Sequence, residues 1–481
     1  MPLRERLRNL ERIARRLDPS SSERGRMTTA ATRYADRFLA QLGELGTYRG
    51  RDPVGEQSDF ALSEDAGDMS ALLKIVDRKV TRPGINPAGR GHFGYIPGGG
   101  VFPAALGDFI ADVTNRYSGV YFANPGAALM ERSLVEWMAG LVGYPEGAGG
   151  DLTSGGSIAN LSAIVAARES FELRARDYER LVVYLTDQTH HCVDKALRVA
   201  GVGDCTIQRV PMDEGWRMQP AALDAMVRSD RTAGLIPWLV VGSGGTTDTG
   251  AVDPLGDIAT IADMHGLWYH CDAAYGGFFL LTDHGREKLA GIEHSDSAVL
   301  DPHKGLFMPF GSGALLVRDE AQLASAMSAT ANYMQDARHD EPHVSPADLS
   351  PELTRPFRGL RMWLPLRLFG LRPFRASLEE KLLLARYFHE ELGKVPGFEM
   401  GPAPDLSVVT YRYRPDTGDA DAFNRALMQA VHDDGKVFVT STLLEGRFTL
   451  RLAALHFRAH LDEVDYLLEL LRYHARRLLG H

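Results

Sequence analysis

Four short stretches of this 481-residue chain combine residue types that could bind and transform a small polar ligand. The first, Thr153-Ser154-Gly155-Gly156-Ser157, leads into a helical pattern from Ile158. Backbone N–H groups at a helix N-terminus suit an anion, because the helix dipole is positive there. Ser and Gly are also ordinary caps, so this stretch alone decides nothing. The second, Thr186-Asp187-Gln188-Thr189-His190-His191, follows the apolar run Leu181–Leu185. One imidazole there could stack on a flat ligand. Adjacent histidines point apart on most backbones, so the pair makes a poor metal site, and no metal is expected. The third, His270-Cys271-Asp272-Ala273-Ala274-Tyr275-Gly276-Gly277, puts a carboxylate at a strand end among small residues. The fourth, Asp301-Pro302-His303-Lys304-Gly305, supplies an amine. Held in apolar surroundings, a lysine can form a Schiff base with a carbonyl.

Each stretch has a bland reading as a cap, a solvated loop or a surface lysine. Their combination is more telling. An anion cradle, an aromatic ring, a carboxylate and a lysine about 30 residues later form the set that pyridoxal phosphate requires.

Such a set needs strands to carry it. Leu181–Leu185, Ile207–Val210, Trp238–Val241, Trp268–Cys271 and Ala314–Val317 read as short buried strands, with helical patterns such as Pro220–Val227 and Leu255–His265 between them. That alternation predicts an α/β domain around a largely parallel sheet, with ligand loops at the C-terminal strand ends. Residues 1–45 read as two helices, and residues 82–104 as Gly- and Pro-rich loops. A last α+β segment has strand candidates at Leu406–Tyr413, Lys436–Thr440 and Phe448–Ala453 and a closing helix near Tyr466–Leu479. The expected domains are a helical segment over 1–85, a large α/β domain over 86–375 and a C-terminal α+β domain over 376–481.

Bulk composition narrows the classes. The formal net charge of -10 argues against general nucleic-acid binding. Three cysteines, Cys192, Cys205 and Cys271, make no disulfide framework and no zinc-ligand spacing, which suits a reducing cytoplasm. No stretch approaches the roughly 20 apolar residues of a membrane span. The basic start, with Arg4, Arg6, Arg8, Arg12, Arg15 and Arg16, is interrupted by Glu5, Glu11 and Asp18. That reads as a structural helix, since transit peptides are poor in acids.

The stretches Thr153–Arg168, Leu185–Ala200, Ala233–Thr247, Trp268–Gly277, Ser295–Lys304 and Arg355–Trp363 resemble the group II pyridoxal-phosphate decarboxylases, above all the aromatic-L-amino-acid decarboxylases. The likeness spans roughly residues 60–475. It implies a fold-type I transferase fold: a mostly parallel seven-stranded sheet with helices on both faces, working as a cytoplasmic homodimer with its sites near the interface. It also implies roles. Lys304 matches the lysine that carries the cofactor, and Asp272 the partner of the pyridine nitrogen. Ala274 and His190 match the residues on the two ring faces. Gly156, Ser157, His191 and Ser297 fall at phosphate-binding positions, Thr247 and His303 beside cofactor and substrate, and Asp301 near the phosphate, where a carboxylate would oppose a dianion unless it caps the loop.

Tyr333, 29 residues after Lys304, matches the tyrosine taken to protonate the carbanion once CO₂ has left. A Phe there goes with aldehyde-forming relatives, so Tyr favours amine formation. At the substrate end, Tyr95, Pro97, Gly98 and Tyr117 match pocket positions, but Gly98 replaces a hydroxyl residue usual in the animal enzymes. The expected reaction is decarboxylation of an L-amino acid, aromatic by resemblance. The alternatives are a glutamate- or diamino-acid-type decarboxylase, an aldehyde synthase, and a cofactor-binding protein without catalysis.

Overall fold

The computed structural model describes residues 1–50, 56–96, 98–329 and 344–480. Their contacts divide them into two compact units: Met1–Gly91 with His432–Phe438, and His92–Val431 with Val439–His481. Residues 376–481, expected as a separate domain, therefore lie in the larger unit except for that seven-residue stretch.

The larger unit holds a seven-stranded sheet: β1 (Gly149–Thr153), β2 (Leu181–Leu185), β3 (Thr206–Arg209), β4 (Ile236–Ser243), β5 (Trp268–Asp272), β6 (Ser297–Leu300) and β7 (Gly313–Val317), in the order β1-β7-β6-β5-β4-β2-β3. β3, β2, β4, β5 and β6 pair in parallel, while β7 runs antiparallel to both β6 and β1. β2, β5, β6 and β7 are buried at every position, as expected of a sheet covered on both faces. Side chains alternate between two cores. Val182, Tyr184, Val240, Tyr269 and Leu300 join one, and Val183, Leu185, Leu239, Val241 and Val299 join the other. Each fully buried Val or Leu contributes about 1.5–3 kcal/mol. The helix Gly156–Ser170 packs into the second core through Ala159, Ala163 and Ala167, and Leu255–His265 into the first through Leu255, Ile258 and Ala262.

A second, antiparallel sheet follows: β8 (Phe398–Met400), β9 (Val408–Tyr413), β10 (Thr440–Leu444) and β11 (Arg447–Ala453), in the order β8-β9-β11-β10. It belongs to the larger unit because its strands bond to that unit's loops. The Tyr275 hydroxyl accepts the Ser407 N–H at 2.8 Å, and Ala453 N–H donates to the Phe93 carbonyl at 2.9 Å. The strand expected over Lys436–Thr440 instead begins at Thr440. Phe438 belongs to the smaller unit, where its N–H donates to the Gly91 carbonyl and its ring stacks on His432.

In the smaller unit the two expected helices form over Leu3–Ala14 and Ser21–Ala40. Ser20 and Glu23 cap the second reciprocally, which marks its start. No described helix is long and apolar enough to cross a membrane.

Candidate active site

Five loops leave the C-terminal ends of β1, β2, β4, β5 and β6 and close around one cavity of about 250 Å³. The β1 loop delivers the glycine cradle. Gly155 sits at φ +148°, a region closed to residues with a side chain. A Cβ on Gly156 would lie 3.0 Å from Asp301 Oδ2 and 3.3 Å from the Ala274 methyl. The helix beginning there has no side-chain cap, so its first N–H groups are available to an anion.

The β6 loop brings Lys304 to the cavity, with its ammonium 3.0 Å from Asp301 Oδ2. Burial draws the pKa of Lys304 down, but Asp301 and Asp272 push it up more strongly, so the net shift is upward. Asp301 is 1% exposed and is also 3.8 Å from His303 Nε2. The carboxylate expected to oppose a phosphate is thus turned onto the lysine. Since the shift is upward, the charged Lys304 contributes its stabilisation below the ordinary lysine value of about 10.4 as long as its carboxylate partner is ionised, and that contribution is lost as the pH rises through the raised value. The amine can attack a carbonyl only after losing its proton. Asp301→Asn is therefore expected to let the cofactor-free protein capture pyridoxal phosphate at a pH lower by about one to three units, the usual effect of one adjacent opposite charge. Growth of the visible band across a pH series measures it, and an unmoved profile would remove Asp301 from control of the lysine.

Asp272 ends β5 and is 8% exposed. Its Oδ1 accepts the Ala274 N–H at 3.1 Å, and the Asn160 amide lies 3.4 Å from Oδ2. His190 reaches the cavity from the β2 loop. Its Nδ1 accepts the Cys192 N–H at 3.3 Å, which leaves the proton on Nε2. Burial lowers its pKa, with Asp272 opposing, so the ring is neutral. His303 is neutral for the same first reason, and its Nδ1–H donates to the Ser312 carbonyl. Cys192 lines the cavity as an inert thiol, its pKa pushed up to about 12 by burial. A carboxylate, an amine, a neutral imidazole and an anion cradle can together hold a phosphorylated aldehyde whose ring nitrogen carries a proton.

Gly156, Ser157, His190, Thr247, Asp272, Ala274, His303 and Lys304 all line this cavity, as expected. Other expected positions do not. His191 is exposed, with its ring centroid 4.2 Å from that of His190. Ser297 opens β6, four residues before Asp301, and a strand rises about 3.3 Å per residue. Its hydroxyl is engaged by His270 and Trp268 inside the sheet, so it does not stand at a phosphate position. Tyr95 is 59% exposed and held at φ +54°. Tyr117 is 36% exposed, with its hydroxyl on the Leu353 carbonyl. Gly98 packs under the lysine segment rather than beside the cavity, and a Cβ there would meet the His303 carbonyl oxygen at 2.1 Å. Pro97 and Tyr333 lie outside the described residues. Sequence reasoning missed Asn160. Its signal is faint: a buried amide four residues after Gly156, where a helix interior disfavours Asn.

Residues 55–414 match the family model described as the pyridoxal-dependent decarboxylase conserved domain. The aromatic-L-amino-acid decarboxylase of Bacillus atrophaeus is 32% identical over 410 residues, 84% of this chain and 85% of its own length. Tyrosine decarboxylase 2 of Narcissus pseudonarcissus is 31% identical over 400 residues, 80% of each chain. Among solved structures, Oryza sativa TDC with PLP and tryptamine superposes with a TM-score of 0.91 at 26% identity, covering 96% of this chain and 99% of that one.

Proposed function

The chain belongs to the pyridoxal-dependent decarboxylase family and is a pyridoxal-phosphate-dependent amino-acid decarboxylase, and from that premise we propose that it converts an aromatic L-amino acid to the corresponding amine and CO₂. The observation that carries the reading is the meeting of Lys304, Asp272, His190 and an uncapped glycine cradle in one cavity. The activities by which the relatives at 31–32% identity are named support the aromatic substrate.

These residues fit the cofactor. The N–H groups at Gly156 and Ser157 would take its phosphate, Lys304 its aldehyde and Asp272 its ring nitrogen, between Ala274 and His190. When bound, pyridoxal phosphate supplies a sink for the electron pair left on Cα as CO₂ departs. Asp272 keeps the ring nitrogen protonated through a charge-assisted hydrogen bond of about 1.5–3 kcal/mol, roughly one to two pKa units. Thr247 and His303 line the cavity and would border the substrate. Tyr333 delivers the proton to Cα.

In this reading the enzyme is a cytoplasmic homodimer. All three cysteines are free and buried, which suits a reducing compartment. The first helix turns out Leu3, Leu7, Leu10 and Ile13, each more than half exposed, which supports a second copy as their cover. Tyr117 and Phe122, 36% and 66% exposed, are then offered to the partner's cavity. The solution mass checks the dimer.

Amine and CO₂ release, followed across aromatic, acidic and basic amino acids, tests the substrate. Turnover of glutamate or lysine equal to that of the aromatic amino acids would rule the reading out. In the same assay Tyr333→Phe is expected to suppress amine and release aldehyde. Amine at the full rate would remove Tyr333 from the proton transfer.

A further inference from the structure

A chain of hydrogen bonds runs from Asp272 into the interior of the sheet. The Asn160 amide nitrogen is 3.4 Å from Asp272 Oδ2 and 2.8 Å from the Gly156 carbonyl oxygen. Asn160 Oδ1 is 2.8 Å from His270 Nε2. His270 Nδ1 is 2.8 Å from Ser297 Oγ, which lies 2.9 Å from Trp268 Nε1. Asn160, His270 and Ser297 are wholly buried, and Trp268 is 3% exposed.

The two ends settle the direction of every link. An indole N–H can only donate, and a backbone carbonyl can only accept. Ser297 accepts from Trp268, and because the Gly156 carbonyl takes the Asn160 amide N–H and so turns Asn160 Oδ1 to His270, a neutral His270 is protonated on Nε2 and accepts the Ser297 hydroxyl proton at Nδ1. His270 must then carry its proton on Nε2 and donate to Asn160 Oδ1. The Asn160 amide is left with its N–H side toward Gly156 and Asp272. Only a neutral imidazole can accept on one nitrogen and donate on the other, and burial draws the pKa of His270 down to about 4. All links donate toward the carboxylate, and such ordered chains reinforce one another in a low dielectric. Val299, Leu315 and Val317, on the same face of the sheet as Ser297 and His270, are fully buried there without polar side chains. Packing alone therefore does not call for the buried polar set.

We infer that Asn160, held in place by His270 and Ser297, is a positioning residue that aims the Asp272 carboxylate at the cofactor's ring nitrogen. The inference rests on the role of Asp272 proposed above.

The test uses the full chain stripped of cofactor and compares pyridoxal phosphate with its 1-deaza analogue, in which C–H replaces the ring nitrogen. Asn160→Leu and His270→Phe are each expected to weaken retention of pyridoxal phosphate about tenfold, the worth of one charge-assisted bond. They should also shift the pH dependence of the visible band. Binding of the deaza analogue should change by less than about twofold. His270→Gln keeps an N–H near the Nε2 position and should restore most of the loss. Ser297→Ala changes volume little and should act in the same direction more weakly, which covers the case of a His270 variant that does not fold. Equal loss of both ring compounds would overturn the inference and leave a purely structural role. So would an unchanged affinity and band in folded Asn160→Leu. Wild-type protein with no preference between the two compounds would sink the role of Asp272, and this inference with it.

Discussion

Lys304→Ala is expected to abolish amine formation, by roughly 10⁴-fold or more, the scale on which covalent catalysis fails when its nucleophile is removed. Among the described lining residues, none can replace the amine. Cys192 is a thiol held protonated by burial, and His190 and His303 are neutral imidazoles fixed by backbone partners. Reduction with borohydride should leave cofactor attached to wild-type protein and none to the variant. The substitution also strands Asp301, 1% exposed, without its cation. Breaking one side of a buried ion pair costs about 3–5 kcal/mol. The thermal midpoint should therefore fall, and adding Asp301→Asn should recover much of it while activity stays lost. Substantial activity in folded Lys304→Ala would remove the lysine from the chemistry.

Asp272→Asn is the second large loss, about ten- to a hundredfold in kcat, the size of one charge-assisted hydrogen bond in the transition state. Asparagine is a poor replacement here for a local reason. Both oxygens of Asp272 face donors, the Ala274 N–H and the Asn160 amide. An amide offers one acceptor, so its NH₂ must oppose one of these donors or turn away. The deficit should appear in kcat more than in KM, because the protonated ring matters most as charge develops. An unchanged kcat would mean the ring nitrogen does not need the carboxylate.

The legible parts of this fold are those where local chemistry and tertiary role agree. β2 and β5 are short apolar runs in a doubly covered sheet, and both lie within a residue of their expected bounds. β1 was not legible. Gly149, Gly150 and Asp151 have little strand propensity, and they form a strand because β7 pairs with them and Arg355, about 200 residues away, takes the Asp151 carboxylate at 3.0 Å. No local window contains that partner. The strand expected at Lys436 starts at Thr440 because the consecutive apolar residues Val437, Phe438 and Val439 do not say which of two units will bury them. The cavity divides along the same line. Lys304, Asp272, His190 and Gly156 sit in motifs whose spacing implies their chemistry, and all four line it. Ser297 was misplaced because a matching position along the chain does not reveal where a strand points its hydroxyl. The burial of Asn160 and the pairing of Asp301 with Lys304 depend on side-chain directions that residue type does not encode.

Gly98 carries a steric constraint. Its missing Cβ is where the His303 carbonyl passes, at a distance no methyl could tolerate. A hydroxyl side chain placed there would push on the backbone at His303 and Lys304. A serine at position 98 would therefore need accompanying changes that re-seat residues 303–304. Exchanging the Phe93–Gly98 stretch for one with a side chain at position 98 is therefore expected to disturb the lysine segment, and the transplant must take that segment with it.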